Sequence, residues 1–334
     1  MALVSLGDMA QSFMLRRQNL ALKSDMQTLA LEMTTGRHSD MTKENGGDYS
    51  PLSALDATLS RLKAFGSVTT EAALFSQTMQ TALSTIDGLA SEASVSLLRA
   101  ADAAQVAAVN SLGTDARQKF ETVVSALNTR VGNRTLFAGQ ATDRPATVDA
   151  ETILSALDTA TVGALTALDV ETAVDTWFSD PLGYAATAYL GAGPLVPIHI
   201  APGDTTQIGI TAMDPVLRDT LKGLAMAALL DRGTLSGADA ARSDLARRAG
   251  ESLLRGQTDR AYLAADLGMS EGQIESAKSR NEAESSALQI ARAGIVAVDP
   301  YETATKLEAA QTQLETLYTI TARMSRLSLV DFLR

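Results

Sequence analysis

The chain has 334 residues, room for two or three domains, and a formal net charge of −11 with no block of Lys or Arg. That balance argues against nucleic acid as a partner, because gripping phosphates needs a basic face. The composition is 46% apolar but only 4% aromatic and has no cysteine, which suits closely packed helices and excludes disulfides and thiolate metal sites. No apolar run approaches the roughly 18 residues that a membrane-spanning helix requires.

The opening "MALVSLGDMAQSF" has no basic n-region and no sustained apolar stretch, so it does not read as an ordinary cleaved secretory signal. Residues 3–35 are predicted to form a helix. Leu15, Leu22, Met26, Leu29 and Met33 recur at helical spacing, and Leu6, Met9, Phe13 and Leu20 are taken as a neighbouring stripe that widens the same face. Gly36 is the predicted stop, and the polar, Gly-rich stretch 38–49 a loop.

Ser50 followed by Pro51 reads as an N-cap and first helical residue. Helix is expected from there to about Gly132, with breaks at Phe65-Gly66 and Leu112-Gly113, before "GQATDRP" (139–145) ends the region. Residues 149–175 have moderate helical character. In 195–211, alternating residues flank a Pro202-Gly203-Asp204 turn, which predicts a β-hairpin, the one clear β signal. Residues 214–231 return to helix, and 238–298 read as one very long helical pattern, a coiled coil or rod. Asp299, Pro300 and Glu302 then form a capping-box start, with a bend or hinge expected at Asp299 and Pro300.

In the last helix Leu307, Ala310, Leu314, Leu317, Thr321 and Met324 follow three/four spacing, and the stripe then drifts toward Leu327, Val330 and Leu333. Residues 1–40 hold four acids and four bases, and 299–334 five acids and four bases, so the two ends are nearly neutral. An antiparallel pairing of the two ends follows. Each buried Leu or Met contributes about 1.5–3 kcal/mol before entropy, but two helices cannot bury all of their apolar surface against each other. The ends therefore read as an assembly interface formed by Leu15, Leu22, Met26, Leu29, Met33, Leu307, Leu314, Leu317, Met324, Leu327, Leu329, Phe332 and Leu333.

The predicted fold is mainly α: a long helical rod, a coiled-coil bundle built from both chain ends, with a small α+β insert. The expected divisions are 1–40 with 299–334 as a terminal assembly region, 41–145 with 214–298 as a helical rod, and 146–213 as an outer insert. No chemistry is evident. His38 and His199 stand far apart without metal-ligand spacing. "LGAGP" (190–194) lacks the strand–turn–helix context of a phosphate loop. Trp177-Phe178 reads as the core of the insert. No enzymatic activity, cofactor or metal is expected.

The ending "LSLVDFL" (327–333) resembles the C-terminus of the flagellin family of bacterial axial proteins, and "DPYETATKLEAAQTQLETLYTITARMSRLSL" is similar to that family's last helix. "MTTGR" (33–37) and "RTLFAGQATDRPA" (134–146) resemble two further family segments. The chain departs from the family at "HSDMTKENGGDYSP" and at Thr135, where Tyr is common. The resemblance implies an extracellular structural subunit of the bacterial flagellum, exported unfolded without a cleaved signal. It implies a place at the hook–filament junction, joined through terminal helices to copies of itself, to an adjacent hook-associated protein and to flagellin, with a cytoplasmic export chaperone. Two other readings stand beside it: a flagellin-type filament subunit, and a ligand-binding or enzymatic module in 146–213 on a helical stalk.

Overall fold

A computed structural model describes residues 6–41, 48–102 and 106–332. The fold is mainly α, and the chain divides into two compact units, Met1–Arg61 with Ala283–Arg334 and Leu62–Glu282. The helices are α1 (Leu6–Thr35), α2 (Ser50–Asp102), α3 (Val106–Leu127), α4 (Ala150–Ala160), α5 (Ala167–Ser179), α6 (Tyr184–Thr187), α7 (Pro215–Ala228), α8 (Asp239–Arg255), α9 (Gln257–Val296) and α10 (Pro300–Phe332). Two short antiparallel hairpins complete the described structure: β1 (Arg130–Val131) with β2 (Arg134–Thr135), and β3 (Ile198–Ala201) with β4 (Asp204–Thr206).

Local chemistry sets most boundaries. Gly36 ends α1 with φ 67°, its amide closing on the Glu32 carbonyl at 2.7 Å. Asp48, rather than Ser50, opens α2: its carboxylate accepts the Ser50 amide at 2.9 Å. Asp149 caps α4 by accepting from the Thr152 amide at 2.9 Å. Thr166 and Asp169 form a reciprocal capping box on α5. The moderate helical signal of 149–175 thus resolves into two capped helices.

In the Leu62–Glu282 unit, α3, α7 and α8 pack on one another, with α4 and α5 against them. Met79, Phe120, Leu127, Phe137, Ile153, Leu157 and Tyr184 are fully buried in one continuous core. Neither Gly66 nor Gly113 breaks a helix. Gly113 instead permits contact, since a Cβ there would lie 2.7 Å from the backbone nitrogen of Asp231. The 238–298 pattern forms two helices, interrupted at Gly256.

The predicted hairpin is present, its bend at Gly203 with φ 83°. Asn281 and Arg280 of α9 hold it, donating to the Ile200 carbonyl at 2.8 Å and to Asp204 at 2.7 Å. The β1–β2 hairpin was not foreseen. Its turn places Gly132 at φ 58°, as a two-residue hairpin with a left-handed first position demands. The segment beyond it, Leu136 to Ala138, is buried, and the Phe137 carbonyl accepts the Ala212 amide at 2.9 Å. The glycines of 190–194 serve this packing: the Gly193 carbonyl accepts the Gln140 amide at 2.9 Å. Trp177, Phe178 and Tyr184 form an aromatic cluster with centroids 5.0–6.0 Å apart. Burial pushes the Tyr184 phenol well above its ordinary value, and its hydroxyl donates to the Ala212 carbonyl at 3.0 Å.

Candidate assembly interface

The two terminal helices, α1 and α10, pack on each other within the first unit. They run antiparallel. At one pole Arg37 pairs with Ala297, the His38 amide donates to the Val296 carbonyl at 3.0 Å, and the Val298 amide to that of Gly36 at 3.2 Å. Farther along, the Lys23 ammonium lies 5.9 Å from the ring centre of Tyr318. Hydrogen bonds from Asn19 and Lys23 hold the Tyr318 phenol below its ordinary value. Toward the other pole the Gln11 amide group meets the Met324 sulfur at 3.8 Å.

Where α9 gives way to α10, Asp299 accepts the amides of Tyr301 at 2.8 Å and Glu302 at 3.1 Å, and its carbonyl accepts the Thr303 hydroxyl at 2.8 Å. Pro300 stands at the first helical position, where its missing N–H costs nothing. The capping box is half present, because the Glu302 carboxylate turns to Lys306 at 2.8 Å.

The seam between the helices is only partly dry. Leu15, Leu22, Met26 and Leu29 of α1 are half-buried, as are Leu307, Leu314 and Met324 of α10, while Met33 is exposed. Leu317 and Ala310 are buried. Leu327, Leu329 and Phe332 lie on the helical backbone of α10, and Leu333 falls outside the described residues.

The second stripe of α1 does not widen the first. At 100° per residue, Met9, Phe13, Leu20 and Leu31 fall within an arc of roughly 40°, centred about 150° from the centre of the Leu15–Leu22–Met26–Leu29 row. Phe13 and Leu20 are each 69% exposed and Met9 and Leu31 each 56%. The helix therefore carries two nearly opposite apolar rows. One faces α10; the other faces away. The sequence reading did not name this outer row as interface, although resolving the stripes by angle would have separated them. Among the described residues, no group of His, Cys, Asp and Glu is arranged to hold a metal ion, and no helix is long and apolar enough to cross a membrane.

Residues 257–333, which span α9 and α10, match the family model of the bacterial flagellin C-terminal helical region. No curated protein sequence matches the chain. Among solved structures it is similar to a protein described as a flagellar hook-associated protein of Vibrio parahaemolyticus, at 12% identity and TM-score 0.50, covering 73% of this chain and 95% of that one. It is also similar to Bacillus cereus FlgL, at 16% identity and TM-score 0.42, over 72% of this chain and 100% of that one. Residues 257–333 thus resemble the flagellin C-terminal helical region, in a chain whose fold is similar to that of a protein described as flagellar hook-associated.

Proposed function

We propose that the chain is a structural subunit of the bacterial flagellum, located at the hook–filament junction and polymerising through α1 and α10. One observation carries the reading: α1 already faces α10 with one apolar row and still presents the second row to water, on a pair whose other member is flagellin-type. An exposed row of this kind marks a protein contact, and repetition of one contact around an axis builds a ring or tube. The Leu15–Leu29 and Leu307–Met324 rows set the pair, and Met9, Phe13, Leu20 and Leu31 meet a neighbouring copy. Asp299 and Pro300 act as the hinge between the terminal region and the rod, and 146–213 is an outer module. The subunit works outside the cell, reached by flagellar export with a cytoplasmic chaperone, and contacts an adjacent hook-associated protein and flagellin. Its role is mechanical rather than enzymatic.

Deleting this chain from its host tests the proposal. Cells are expected to keep bare hooks and shed flagellin into the medium. Normal filaments on the deleted strain would overturn it. The flagellin-type match favours one other reading, a filament subunit, for which the chain would dominate sheared filaments rather than appear in trace.

A further inference from the structure

Segment 146–213 contains eight carboxylates and not one Lys or Arg. Three of them close local turns: Asp149 accepts from the Thr152 amide, Asp169 from the Thr166 amide and Asp180 from the Leu182 amide, at 2.8–2.9 Å. Each of the other five meets a cation that the flanking helical scaffold supplies. Arg232, just beyond α7, donates to both oxygens of Glu151 at 2.8 and 2.9 Å and also binds Asp158. Arg248 of α8 meets Glu171 at 2.7 Å, Lys222 of α7 meets Asp175 at 2.8 Å, and Arg280 of α9 meets Asp204 at 2.7 Å. Arg218 of α7 adds a bond to the Phe178 carbonyl at 3.0 Å.

We infer that 146–213 is an all-acid module latched by charge sign onto a scaffold that provides every cation, and that salt or acid loosens its seat while the helices beneath stay folded. The inference does not depend on the flagellar role. Beneath the latch, Ile153, Leu157, Val170, Val174 and Phe178 are buried in the core shared with α7. Apolar surfaces of this kind attract without fixing register, whereas opposed charges set orientation and reject alternatives. Isolated exposed ion pairs contribute little, but Arg232 serves two carboxylates at once and is itself largely covered, as are Arg248 and Lys222.

The charged surroundings are mixed, so the latch is limited in strength. Arg117 of α3 adds to the field at Glu151 and also binds Asp231 at 2.9 Å. Arg248 is shared with Asp244, which in turn binds Arg247, and Arg247 binds Glu251. Lys222 is shared with Asp219 at 3.2 Å. The hydrogen bond from Arg232 holds Glu151 below the ordinary carboxylate range. Its contribution is therefore complete above the ordinary glutamate value and is lost as pH falls through the lowered one.

The single tryptophan, Trp177, lies inside the module and reports its seat in the whole chain. Trp177 emission should shift on acidification or added salt before far-UV circular dichroism loses helix. Arg232→Glu should raise the population with displaced Trp177 by about tenfold at low salt, and by less than about threefold in molar salt, where the Debye length is short. Pairing it with Glu151→Arg should reverse part of that rise, since Asp158 still faces the new carboxylate. If Arg232→Glu fails to fold, Arg232→Gln gives the same comparison without reversal. Trp177 and helix signals that always change together, or a reversed pair that recovers nothing, would overturn the inference.

Discussion

The first unit and the second differ in how completely they bury their apolar residues. In Leu62–Glu282 the large side chains Phe120, Met79, Leu127, Phe137 and Tyr184 have no exposed surface. In the terminal unit most of the α1–α10 seam stays half-wet, and Phe13 and Leu20 face water outright. One unit is built round a dry core, although Val162, Leu165 and Leu182 stand exposed on its surface; the other is held by a seam that is only partly dry. A dry core holds without a partner, while a half-wet helix pair gains from any partner that covers it.

The largest test of this contrast is truncation in the two places. Phe120→Ala is expected to cost about 3–5 kcal/mol in denaturant unfolding of the isolated chain, whereas Leu22→Ala in the seam should cost less than about 1.5 kcal/mol. Equal losses would erase the distinction. Next comes backbone strain within the dry-cored unit. Gly139 has φ 61°, and a Cβ there would sit 2.2 Å from the Gly193 carbonyl oxygen, so Gly139→Ala should destabilise by about 2 kcal/mol or more and lower the melting temperature. Removing the cap, Asp299→Ala, should cost about 1 kcal/mol, seen as faster amide exchange confined to the first turn of α10. The smallest stability effect belongs to the outer row. Phe13→Ser with Leu20→Ser should leave the melting of the isolated chain within about 0.5 kcal/mol yet abolish incorporation into flagella. A pair that still assembles would remove the outer row from the interface. Chymotrypsin should cut α1 and α10 of the free subunit before the Leu62–Glu282 core, and equal resistance would contradict the contrast.

Much of the architecture could be read locally. The 3.6-residue period gave the terminal helices, near-neutral charge matched them as partners, Gly36 and Asp299 marked their ends, and Pro202-Gly203 marked the hairpin. Features that depend on distant partners were hidden. Gly113 resembled a helix breaker because its close approach to Asp231 exists only after folding. Gly250 is similar: its hypothetical Cβ would lie 2.9 Å from Leu98 and 3.1 Å from the Ser94 carbonyl. Arg242 showed no sequence signal, yet it is buried and donates to Asn110 and to the carbonyls of Leu230 and Thr234, each at 2.7 Å, fixing the turn after α7. In α1, spacing picked out the half-buried row Leu15, Leu22, Met26 and Leu29, but linear counting merged it with a row that helical geometry puts on nearly the opposite side.

The Arg37–Ala297 bridge has a mechanical corollary. Because α1 and α10 are antiparallel and both lead into the middle of the chain from that pole, an axial pull applied between the two poles loads both helices in the same sense. The tension divides between two parallel struts, and neither slides along the other. In the assembly proposed above, torque would be shared in the same way, and a failure would begin where the struts meet the next subunit rather than between them.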